Sequence, residues 1–424
     1  MNLIIRQGRI VDPSQKLDRV ADLGIEDGRV AEIAAHIRAQ DCREFSAAGL
    51  IVAPGFVDMH VHLREPGRED AETIESGTRA AARGGFTAVA CMPNTQPVND
   101  NAGITACILE RARAVSRIPV YPIGAITLGS QGQTLADIRE MARAGIVAVS
   151  DDGRGIQNNQ VMRRAMEAAR LCDLPVIDHC EDRDLAAGGC MNEGSCASRL
   201  GWAGINPDAE EIQVARDAIL ARRTGAGVHI AHLSTRHALA AVKRARQEGV
   251  AITCEVTPHH LLLTEELVAS LGANAKMNPP LRTRQDVDAL AEALVSGDID
   301  VIATDHAPHT EGDKKLEFDR APFGIVGLET AVSLIWDRFV RPGTLSVARL
   351  VEVFSVNPAR ILKLKHGTLA RGAPAHITIL DPELHWEVRS SEFLSRSRNT
   401  PFEGWKLRGG PVATLAGGEL IWRR

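Results

Sequence analysis

The 424 residues include one tyrosine, Tyr121, and aromatic side chains make up only 4% of the chain. A core so poor in rings must be filled by Ala, Val, Leu and Ile, which suits a parallel sheet with strands buried on both faces. Eight cysteines (42, 91, 107, 172, 180, 190, 196 and 254) form no CxxC pair, and several sit in apolar runs. They read as reduced, buried thiols of a cytosolic protein. No apolar run approaches the ~18 residues that would suggest a membrane span, and no secretory leader is visible, so a cytoplasmic, membrane-free protein is expected. Positive charge is not in excess either: the net charge is −5, with acidic residues interleaved among the arginines, which argues against nucleic acid as a partner.

What remains is ordinary globular composition, 44% hydrophobic and 24% charged. Residues 1–54 carry short β-rich pieces, LIIRQGRIVD and DLGIEDGRVAEI, with turn signals at Gln7-Gly8 and Asp27-Gly28. The same grammar returns in HGTLARGAPAHITILD (366–381) and GPVATLAGGELIW (410–422). Between them, apolar runs end near Val61, Cys91, Ala125, Ser150, Ile177, Ala231, Glu255 and Thr304, mostly separated by helical stretches such as 73–85, 159–171 and 207–223. Eight such units predict a TIM-type (β/α)8 barrel over 55–361. Residues 1–54 and 362–424 are expected to form one composite, β-sandwich-like domain.

Catalytic groups of such a barrel come from the C-terminal ends of its strands. Here those ends are rich in metal-ligand types: His60 and His62 after Asp58, Asp151-Asp152, His179, His229 and His232, and Asp305 with His306 and His309. Residues two apart on a strand share a face, so the imidazoles of His60 and His62 converge on one ion. Histidines from strands five and six could hold a second, and a strand-four carboxylate could bridge the two. His232 lies nearer the strand end than His229 and is the better ligand. Two ions about 3.5–4 Å apart would share a hydroxide and lower its pKa, with Asp305 ligating and accepting the proton. A metal-assisted amide or ester hydrolase follows. His259-His260 read as part of a loop or a helix start, and His36, His366, His376 and His385 fall outside the barrel.

The motifs PGFVDMHVHLREPG, GGFTAVACMPNTQPV, SDDGRGIQ, IDHCED, AHLST, VTPHHLLLT, KMNPPLR, ATDHAPHT and APFGIVGLET occur in this order, followed by NPAR, GTLARG and TPFEG. Together they resemble the long, bacterial type I dihydroorotases of the amidohydrolase superfamily over essentially the whole chain. The resemblance implies reversible cyclisation of N-carbamoyl-L-aspartate to (S)-dihydroorotate plus water, in pyrimidine synthesis, at one or two Zn²⁺ ions. It implies that His60, His62 and Asp305 hold one ion, that His179 and His232 hold the other, and that Asp152 is the bridge where many superfamily members use a carbamylated lysine. Asp305 would be the catalytic acid/base. Arg64 would clamp the substrate carboxylate, with Asn94, Asn278, His309, Phe323 and Gly324 completing the contacts. A homodimer is common in the family, and a complex with aspartate transcarbamoylase is compatible with it.

Two rival readings share the motifs. A hydantoinase or allantoinase usually needs the bridging lysine and lacks the carboxylate clamp; the lysine-free SDDG and the presence of Arg64 and Asn94 oppose it. A non-catalytic scaffold for aspartate transcarbamoylase typically loses metal ligands, whereas all six are present. The charged segment 309–323 reads as a lid over bound substrate or as a solvated connection. Departures from the family pattern are mild: His376 stands where an acidic residue is usual, and GGCMNEGSC (188–196) reads as a loop variant.

Overall fold

The computed structural model describes residues 1–38 and 41–424. Its centre is a (β/α)8 barrel of parallel strands. Three of them, Phe56–Val61, Phe86–Cys91 and Val120–Pro122, pair in order, and four more, Val176–Asp178, Val228–Ile230, Ile252–Val256 and Val301–Ile302, form a second run. Val149 joins the two runs by parallel bridges to Gly124 and Val176, and Val61 closes the ring against His306. The fourth run, expected to end near Ser150, therefore shrinks to one bridge position. Asp151 explains this: its carboxylate takes the backbone N–H groups of Ile126 (2.8 Å) and Thr127 (3.1 Å), which leaves them unavailable to a longer ladder.

The helices follow from local signals. Ile74–Arg83 begins at a capping box between Thr73 and Ser76 and buries Ala80, Ala81 and Ala82. Asn159–Leu171 and Asp208–Thr224 lie where the apolar periodicity places them. Small, unbranched and β-branched aliphatic side chains fill the barrel interior, as the scarcity of rings demands: Met59, Ala90, Met92, Ile123, Ala148, Ile177, Ala231, Val301 and Ala303 pack together. Three of the nine phenylalanines meet where two strands begin: Phe56 and Phe86 open theirs, and Phe354 comes from the helical segment Glu352–Val356. Phe56, Phe86 and Phe354 form an aromatic cluster with centroids 5.5–6.4 Å apart, each contact contributing about 0.5–1.5 kcal/mol beyond its area.

Both ends of the chain build one eight-stranded sheet. Leu3–Asp12 lies beside Ile51–Pro54, which pairs antiparallel with Ile377–Glu387, Val52 opposite Ile379. The sheet is tied to the barrel by Phe56, whose N–H donates to Thr378 Oγ1 at 3.1 Å. Between Ile377–Glu387 and Lys406–Ala416 the chain leaves the sheet and lies on the barrel. There Ser397 Oγ donates to the Ala71 carbonyl (2.7 Å), and Asn399 Nδ2 donates to the carbonyls of Ala307 and Gly324 (3.1 Å each).

Candidate metal centre and substrate cavity

The first strand carries the arrangement that makes the site possible. Met59 belongs to the packed inner layer, and pairing with Phe86–Cys91 is irregular between Asp58 and Val61, so His60 also turns inward. Strand alternation then points Val61 outward and returns His62 to the interior. Asp58 locks this geometry: it accepts from the His60 N–H (3.2 Å), the Thr304 N–H (3.2 Å) and Thr304 Oγ1 (2.6 Å), tying the first strand to the last.

Six side chains meet around one point. Asp152 Oδ1 lies 3.4 Å from His60 Nε2, 3.5 Å from His232 Nε2 and 3.8 Å from His179 Nδ1. Its other oxygen is 3.5 Å from His62 Nε2. Asp305 Oδ1 lies 3.1 Å from His62 Nε2 and 3.5 Å from His60 Nε2. Asp152 thus reaches all four histidines, while its neighbour Asp151 faces the Ile126-Thr127 backbone instead. The structure brings together two ligand groups, His60 with His62 and Asp305, and His60 with Asp152 and His232. His179 adjoins the second through a 2.9 Å contact of its Nδ1 with His232 Nε2.

The donor chemistry fits a divalent ion. His60 Nδ1 is taken by Glu255 at 2.6 Å, so a neutral ring turns its Nε2 lone pair toward two carboxylates. Both His60 Nε2 and Asp152 Oδ1 are buried without a hydrogen-bond partner. A divalent cation between them relieves that opposition, as a proton on His60 would. Ligands 2.0–2.1 Å from a tetrahedral zinc lie about 3.3–3.4 Å apart, close to most of the spacings in this cluster. The histidines and carboxylates also stabilise each other's charge: burial opposes it, yet Asp152 and Glu255 push the His60 pKa well above its ordinary value and the histidines hold Asp152 and Asp305 below the usual carboxylate range.

Beside these groups opens a cavity of about 340 Å³, lined among others by Arg64, Asn94, Asn278, His309, Phe323 and Gly324. Arg64 adopts a left-handed backbone (φ 60°) and anchors its Nε to the Pro308 carbonyl at 3.1 Å. Burial lowers its pKa to about 10, so it stays charged at neutral pH. Asn94 Oδ1 accepts from His62 Nδ1 at 2.8 Å, which sets that ring's tautomer as well as lining the cavity. Asn278 Nδ2 lies 3.3 Å from His179 Nε2, and its Oδ1 is buried without a partner. His309 donates Nε2–H to the Phe323 carbonyl (2.8 Å); burial, with Arg64 and Lys314 nearby, lowers its pKa to about 3 and keeps it neutral.

Other histidines are turned elsewhere. His306 bonds Glu72 (3.1 Å) and the Gly327 N–H (3.2 Å), and His259-His260 sit in the short helix Pro258–Leu262. His229 faces Glu255 and Thr253. Segment 309–323 is held down by Lys276 Nζ, which donates to the carbonyls of Phe318 (2.6 Å) and Asp319 (3.0 Å), and braced internally by Lys314 Nζ, which donates to that of Pro322 (2.9 Å). Sequence reasoning missed Glu255, Lys276 and Asn399. Lys276 stands inside the quoted KMNPPLR motif, two residues before Asn278. Asn399 accepts the His309 N–H (3.2 Å) from 90 residues away, and no local pattern announces it.

Comparison with known proteins points in one direction. A family model described as Dihydro-orotase-like matches residues 49–238. The chain is 52% identical over 424 residues to the dihydroorotase of Solibacter usitatus (strain Ellin6076), covering 100% of this chain and 99% of that one. It is 50% identical over 425 residues to the dihydroorotase of Pelotomaculum thermopropionicum, covering 99% and 98%. Among solved structures it is similar to the L-hydantoinase (dihydropyrimidinase) of Arthrobacter aurescens, with a TM-score of 0.90 at 26% identity over 100% of this chain and 96% of that one.

Proposed function

The chain belongs to the dihydroorotase family, cyclic amide hydrolases of pyrimidine biosynthesis, and from that premise we propose how its own residues bind the substrate and move the proton. His60, His62 and Asp305 would hold one metal ion and His179 and His232 a second, with Asp152 available to both; imidazole and carboxylate donors at these spacings favour Zn²⁺. Bound there, the ions supply Lewis acidity toward water and the ring carbonyl. Residues 55–361 form the catalytic unit, and 1–54 with 362–424 the accessory one. The family resemblance further implies a cytoplasmic homodimer able to meet aspartate transcarbamoylase.

Arg64 presents a buried, charged guanidinium to the cavity beside the histidine cluster, and this observation carries the reading. It pairs with the substrate carboxylate and fixes the ring in one orientation. Asn278 lines the cavity as a polar contact for the ring, and the neutral His309 with the backbone of Phe323-Gly324 shapes the far wall. Asp305 carries the proton. In the hydrolytic direction its carboxylate accepts a proton from water as the new C–O bond forms, then delivers it to the ring nitrogen as the C–N bond breaks. Ring closure runs the same transfers backwards. Lys276 holds segment 309–323 against the cavity and Lys314 braces it internally, which limits access of bulk water.

The purified, zinc-loaded protein should interconvert dihydroorotate and N-carbamoyl-L-aspartate and leave hydantoin and allantoin nearly untouched. Asp152→Ala should lose metal and activity together, while Asp151→Ala should keep its metal. No turnover of dihydroorotate in either direction overturns the proposed chemistry, and metal loss that follows Asp151 instead overturns the ligand assignment.

A further inference from the structure

Glu255, on the strand Ile252–Val256, is a fully buried carboxylate that touches neither the cavity nor the exterior. Such a charge inside a barrel is costly unless its acceptor capacity is met. Here it is met by the histidines of the site and their neighbour. Oε1 accepts from His60 Nδ1 at 2.6 Å and from the backbone N–H of His232 at 3.2 Å. Oε2 accepts from His229 Nε2 at 3.1 Å, and His229 is fixed in turn by Thr253 Oγ1 at 2.8 Å on its other nitrogen.

We propose that Glu255 is the positioning residue of the centre, one carboxylate that aims a histidine of each half, with His229 as its support. This rests on the reading that the histidine and aspartate cluster holds metal. For His60 the effect is on the ring: a proton kept on Nδ1 leaves Nε2 as the donor and raises its basicity. For His232 the effect is on the chain. That residue sits at φ 30°, a left-handed conformation that a non-glycine residue holds only when its surroundings enforce it. The bond from its N–H to Glu255 is one such constraint, and without it the ring no longer has a defined approach to Asp152.

The test is zinc affinity measured apart from turnover. Wild type, Glu255→Gln and His229→Gln are stripped of metal with a chelator, checked for cooperative thermal unfolding, and titrated with Zn²⁺ against a chromophoric competitor. Glutamine keeps the shape of Glu255 but loses the charge and turns an N–H₂ group toward one of its two histidines. The expected result is a zinc dissociation constant raised roughly 10–100-fold in Glu255→Gln, with a smaller rise in His229→Gln. The Co²⁺-substituted Glu255→Gln protein should also show a shifted absorption spectrum, which a merely structural role would not produce. Wild-type zinc affinity in the folded variants overturns the proposal. If Glu255→Gln does not fold, unchanged affinity in His229→Gln overturns it alone. A wild-type protein that takes up no zinc overturns the reading of the centre instead.

Discussion

Replacing Arg64 with methionine removes the guanidinium but keeps an unbranched stem. Arg64 lines the cavity, its Nε is held by the Pro308 carbonyl, and burial leaves it charged in a poorly solvated place. Truncating one partner of a buried, hydrogen-bonded charge pair costs about 2–5 kcal/mol. At ~1.36 kcal/mol per decade, kcat/KM for dihydroorotate should fall roughly 30- to 5000-fold. Dihydrouracil is the same ring without the carboxylate, so its far lower rate should be nearly unchanged and the preference between the two substrates should collapse. Arg64→Lys should fall between, because it keeps the charge and loses the planar fork. The assay is ring opening followed by ultraviolet absorbance, with bound metal measured on each preparation. Equal losses on both substrates, or no loss on dihydroorotate, would refute the clamp.

Deleting residues 312–319 removes the Phe318 and Asp319 carbonyls that hold Lys276; KM should rise and turnover fall, by roughly 10–100-fold in kcat/KM, and unchanged kinetics would end the lid reading. The stacked pair His366 and His376 (centroids 4.4 Å apart) makes a prediction for stability against pH. Burial lowers their pKa values to about 3 and about 4 from an unfolded value near 6.5, so the unfolded chain binds more protons between those limits. Their contribution is complete above about pH 6.5 and is lost as pH falls toward 4, at up to about 1.4 kcal/mol per pH unit for each ring. His366→Gln combined with His376→Gln should flatten the slope of urea-unfolding free energy over that range; an unchanged slope would show that the rings do not titrate with unfolding.

The catalytic face was legible because barrel chemistry gathers at strand ends, and strand ends are visible as apolar runs that stop at His or Asp. The spacing of His60 and His62 needed only the two-residue period of a strand. Asp151 against Asp152 was a question of parity, and the structure shows its basis: one neighbour is consumed by backbone N–H groups, the other by histidines. What stayed hidden depends on contacts between distant segments. Glu255 looked like the end of another apolar run, and His229 like a spectator, because their partners come from other strands. Asn399 lies in a polar stretch that reads as connection, and its role appears only when that stretch folds onto the barrel. The fourth strand was overestimated because an apolar run signals burial, while the ladder length depends on who claims the neighbouring N–H groups.

The pairing of the two chain ends has a consequence for how the protein is made. Phe56, which opens the first barrel strand, bonds Thr378, 322 residues later. At ribosomal speeds of about 5–20 residues per second, the first strand waits roughly 16–64 seconds for that partner to be synthesised. Through this interval Ile51–Pro54 presents an unfinished sheet edge, and until His306 is made the barrel, closed by that residue against Val61, has the first-strand end of its ring open. Assembly of the site therefore comes late in synthesis, so incomplete chains carry the first ligand pair without the geometry that makes it a centre.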